Sequence, residues 1–149
     1  MKNSYLLNII LVFSIFFCKA SLAYVQNPLF LVMQEENTEI YILKRCNAWH
    51  AFIADLAKQS DDNKTYKNYF KKSIVLYDLS VKALMQLGIK EKEAEKKIQE
   101  DLFIMMENYR LDASKNKKEF GHWYEGYFKG KLGDADICDE YYDKIKDIN

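Results

Sequence analysis

Proline occurs once and glycine five times in 149 residues. That is too few for the many tight turns of an all-β sandwich or barrel, and it suits long helices. Histidine occurs twice, so general acid–base chemistry would have to rest on His50, His122 or displaced carboxylates. The chain holds no Gly-x-Ser-x-Gly, no His-Glu-x-x-His, no phosphate loop and no dinucleotide fingerprint, and no catalytic residue is assigned. Without a Cys-x-x-Cys-His there is no haem attachment site, and no cofactor is expected. Neither charge sign is in excess: 22 Lys+Arg balance 22 Asp+Glu, which removes the basic footprint of a nucleic-acid binder.

Apolar side chains are plentiful. Hydrophobic residues make up 49% and aromatics 15% of the chain, while 30% is charged, enough for a packed core with a wet exterior and against disorder. The apolar residues are unevenly placed. Lys2 is followed by an apolar run from Tyr5 to Cys18 and then by Ser21-Leu22-Ala23, the basic, apolar and small-x-small order of an export signal cleaved after Ala23. The run is shorter than the ~20 residues that cross a bilayer as a helix. Residues 1–23 are therefore expected to be a leader. Residues 24–149 are expected to form one helical domain, periplasmic or secreted, with no membrane span after cleavage.

Export changes the meaning of the cysteines. Cys18 leaves with the leader, and Cys46 and Cys138 remain as an even pair in an oxidising compartment, where a disulfide is expected.

The rest of the chain reads as helices. After a short apolar lead-in to Met33, Ile42, Cys46, Trp49, Ile53 and Leu56 recur every three or four residues between about 36 and 58. Leu43, His50 and Ala57 flank this stripe, and Lys44, Asn47, Ala51, Asp55 and Lys58 form the opposite face. Thr65 is placed to cap a second helix with the stripe Phe70, Ile74, Tyr77, Val81 and Leu84, and Gly88 to end it with Ile89 packing beneath. A third helix carries Ala94, Ile98, Leu102, Met105 and Tyr109. Residues 114–132 fit either a continuing helix or a broken one, with a stop expected between Gly130 and Gly133. Asp134 is placed to cap a last helix with Cys138, Tyr141, Ile145 and Ile148 on its inner face. The expected fold is all-α, a single bundle of four or five helices tied by Cys46–Cys138.

The leader, the stretch Leu43-Lys44-Arg45-Cys46-Asn47-Ala48-Trp49, and the late Asp136-Ile137-Cys138-Asp139 followed by tyrosines resemble small exported helical proteins of marine alphaproteobacteria and their phages. The resemblance implies a disulfide-tied helical fold and brings no catalytic residue with it.

Two constellations point toward function. Phe120, His122, Trp123, Tyr124, Tyr127 and Phe128 gather more rings than one helix face can bury. Trp and Tyr dominate interface hot spots. His122, Trp123, Tyr124 and Tyr127 are thus the candidate partner-binding residues, for another exported protein or a second copy of the chain. The alternative is chemical: Cys46 and His50 stand four apart on one helix face, and with His122 and Cys138 they would complete a Cys2His2 zinc site.

Overall fold

The structure, a computed structural model, describes residues 29–33, 38–125, 128–130 and 133–146. The leader, its cleavage point, Tyr127 and Ile148 lie outside the described residues. Within them the fold is all-α: a single turn α1 (Leu29–Val32), then α2 (Glu39–Gln59), α3 (Asn63–Gln86), α4 (Glu91–Phe120) and α5 (Asp134–Ile145). No described helix is long and apolar enough to cross a membrane.

α2 is the hub, with α3, α4 and α5 all packed against it. Lys44 pairs with Asp101 at 2.7 Å near one end of α2 and Asp55 with Arg110 at 3.0 Å near the other, so α4 runs parallel to α2. The short α2–α3 connection makes α3 antiparallel to both. Because α2 has neighbours on three sides, its buried set is not a stripe but nearly a full circumference, including Arg45, Asn47, Trp49 and His50. The sequence pattern put Asn47 on the solvent side; it is fully buried, and Ser73 Oγ donates to its Oδ1 at 2.7 Å.

α3 begins one turn earlier than expected. Its cap is Asp62, whose carboxylate accepts from the Thr65 N–H at 3.0 Å, and Thr65 lies within the first turn. Its inner face is also rotated from the expected stripe. Ser73, Leu76 and Ser80 are buried, small hydroxyl residues letting the α2 backbone approach, while Phe70 and Ile74 stay 47% and 46% exposed. The expected stripe is real but only its C-terminal half is covered, where Val81 and Leu84 meet Ala94 and Ile98 of α4. Gly88 ends the helix as expected, at φ +85°, with Ile89 packed on that same cluster.

α4 keeps its expected face, burying Ala94, Ile98, Met105 and Tyr109 and half-burying Leu102. It runs unbroken through the charged turn 114–118 and stops at Gly121, about three turns before the expected breakpoint. The reason is the left-handed φ of +82° at Gly121, whose N–H closes on the Lys117 carbonyl, a conformation that costs glycine least. α5 differs from expectation at its first residue. Gly133 holds the cap position, and Asp134 is turned inward and fully buried.

Candidate functional site

Cys46 and Cys138 are joined by a disulfide with Cα atoms 5.0 Å apart. The bridge sets α5 on α2 and brings two polar groups together, one turn to either side of it.

On one side Arg45 Nη2 and Nε donate to Asp134 Oδ2 at 2.7 and 2.9 Å, and both side chains are fully buried. Tyr109 donates to the same oxygen at 2.6 Å. Burial opposes the Arg45 charge, but Tyr109, Asp134 and Tyr41 outweigh it and hold the guanidinium protonated. Burial and then Asp134 push the Tyr109 hydroxyl well above its ordinary value, so it remains a donor. Arg45, Tyr109 and Asp134 are each fully buried, and their hydrogen bonds tie the first residue of α5 to α2 and α4.

On the other side His50 Nε2 lies 3.1 Å from Asp139 Oδ1. Lys72 pairs with that oxygen too, and Tyr69 donates to Oδ2 at 3.3 Å. Burial works against ionisation of Asp139, yet the hydrogen bonds and charges of His50 and Lys72 bring it down to about 2. His50 moves the other way: burial lowers it, against the pull of Asp139. Its Nδ1 is buried with no partner among the described residues, consistent with a neutral ring that donates through Nε2.

The sign of the pH dependence follows. Since the unfolded chain binds the His50 proton more tightly, this contribution is complete above pH 6.5 and is lost as the pH falls from 6.5 toward the lower folded value. The Asp139 contribution is lost later, between 3.8 and about 2. Urea midpoints measured across this range should therefore fall in two steps, and His50→Gln should abolish the upper step and reduce the lower one to the part that Lys72 carries. An unchanged upper step in His50→Gln would assign it to another group.

The aromatic segment follows Gly121. Asn116 Nδ2 donates to the carbonyls of Trp123 and Glu125 at 3.1 and 3.0 Å, pinning the segment to the end of α4. Its rings divide. Phe128 is core, fully buried among Trp49, Phe52 and Tyr109. Phe120 is 56% exposed, and His122 is exposed with Nε2 3.3 Å from Glu125. Trp123 and Tyr124 are half-buried, edge to face with each other at 5.3 Å, and Trp123 stands at right angles on Phe52.

Trp123 separates two open clefts. One, of about 330 Å³, has an apolar floor of Phe52, Leu56 and Ala113 with Arg110, Ser114, Lys117 and Gln59 at its rim. The other, of about 350 Å³, is lined by Ile53, Leu56, Ala57, Ser60, Asp62 and Thr65. Both have the volume of small-ligand or side-chain pockets.

The four residues of the zinc constellation are dispersed. The two sulfurs are bonded to each other and offer no thiolate, His50 faces Asp139, and His122 lies on the surface segment. Among the described residues no three His, Cys, Asp or Glu side chains are grouped to hold a metal ion.

The Arg45–Asp134 and His50–Asp139 pairs were missed by periodicity, though the cysteines carry a signal for them. Arg45 and His50 lie one and four residues from Cys46, while Asp134 and Asp139 lie four and one from Cys138. Once the bridge is granted, Arg45 and His50 each have an acid within a turn. No family model matches the chain, and no curated protein or solved structure matches it, so the functional reading rests on these residues alone.

Proposed function

We infer that the chain is an exported helical binding module, inhibitor-like in kind, that captures apolar side chains of a partner around Trp123 and Tyr124. The observation that carries this reading is that one half-buried indole lines both clefts, so a single residue serves as the wall of two pockets. Rigid aromatic walls supply contact area at low entropic cost. Arg110 is held by Asp55 and Glu107, and the exposed Lys117 on the same rim favours a partner group that is apolar with a negative end.

The probe for this site is anilinonaphthalene sulfonate, an apolar anion. Saturable binding of one probe per chain is expected, with quenching of Trp123 emission in a Trp49→Phe background. Ser114 is exposed and lines the first cleft, so Ser114→Trp should fill it from the rim without disturbing the core. That variant should bind the probe roughly tenfold more weakly, the equivalent of ~1.4 kcal/mol. Equal affinity in Ser114→Trp and the parent would withdraw the site.

A further inference from the structure

The geometry points to a second surface, on the N-terminal half of α3, that binds reversibly to an anionic lipid surface. Residues 63–77, bounded by Asp62 and Asp78, contain Lys64, Lys67, Lys71 and Lys72 and no acidic residue, and Lys64 faces Asp62. Lys72 is committed to Asp139, whereas Lys67 and Lys71 are exposed and have no carboxylate partner among the described residues. They form one i,i+4 row. Tyr66, Phe70 and Ile74 form the adjacent row, with the Tyr66 and Phe70 rings stacked at 5.4 Å. This is the uncovered continuation of the stripe that α4 buries farther along.

An apolar row beside a row of amines matches the boundary of a bilayer: rings and branched chains enter the acyl edge, and lysine stems lie along them with their charges at the phosphates. A protein partner fits less well. Two half-exposed side chains on a convex helix present far less than the ~800 Å² per partner that a stable protein interface covers. For lipid, each lysine at an anionic surface adds to the apolar contribution, giving weak, salt-sensitive attachment. The surface lies apart from the first Trp123 cleft and adjoins the second, whose lining includes Asp62 and Thr65.

The test places a reporter at the site in the full chain. The added indole of Phe70→Trp should shift to shorter wavelength and be quenched by brominated lipid on vesicles of equal parts phosphatidylglycerol and phosphatidylcholine, but not on phosphatidylcholine alone. Adding Lys67→Glu and Lys71→Glu should weaken that response about tenfold or more, and high salt should reverse it. Leu87→Trp is the control, since Leu87 is 69% exposed at the far end of α3 and should not respond. No shift on anionic vesicles, an equal shift on neutral ones, an equal response at position 87, or a dimer that shields position 70 would each overturn the assignment.

Discussion

Replacing Asp134 by alanine should destabilise the fold by about 3–5 kcal/mol, the cost of leaving a buried charge without its partner. Arg45 would then sit fully buried without the carboxylate that takes two of its hydrogen bonds, and Tyr109 would lose the acceptor it reaches at 2.6 Å. Removing both charges is a different experiment. Arg45→Met with Asp134→Leu should recover most of the loss, because buried ion pairs contribute little beyond an apolar pair of similar shape. Urea unfolding of the parent and the two variants, followed by circular dichroism, decides it. A loss below ~1 kcal/mol in Asp134→Ala would show that water reaches Arg45.

The second large effect belongs to the disulfide. Cys46 and Cys138 are 92 residues apart, and for a loop of that length the chain-entropy model gives about 4–5 kcal/mol, within the ~2–5 observed for native bridges. Cys46→Ala with Cys138→Ala should therefore lower the thermal midpoint by many degrees, as should reduction. Asp134 lies one helical turn before Cys138, so the two losses share a cause: both loosen α5 from α2. Combined, they should sum to less than their separate values, a coupling that a double-mutant cycle measures directly. Strict additivity would mean that α5 is held by each independently.

The features legible in the sequence were those set by a single neighbour. Gly88 and Ile89 end α3 as their types demand, and the α4 stripe of Ala94, Ile98, Met105 and Tyr109 is buried as spaced. The cysteine pairing, present in the structure, was expected from the number of cysteines left once a leader is assumed. What failed was orientation where an element has several neighbours or too few. Asn47 lies opposite the main stripe yet is covered by α3, whereas Phe70 and Ile74 lie on the stripe yet meet nothing that buries them. Arg45 and Asp134 look like surface charges because composition cannot tell a paired charge from a solvated one. At the candidate site the density of rings was visible. Their division was not: Phe128 entered the core and Trp123 became a wall because Gly121 turns the chain back over α2.

Covalently, residues 46–138 form a closed ring. α3, α4 and the entire Trp123 segment lie on its circumference, whereas the rest of the chain hangs from it as two tails. Cutting any one peptide bond of such a ring opens it without dividing it. The exposed turn at Ser60–Asp62 and the exposed Lys129 and Gly130 are places where scission would leave every helix attached, and the clefts beside Trp123 would keep both of their walls on one molecule.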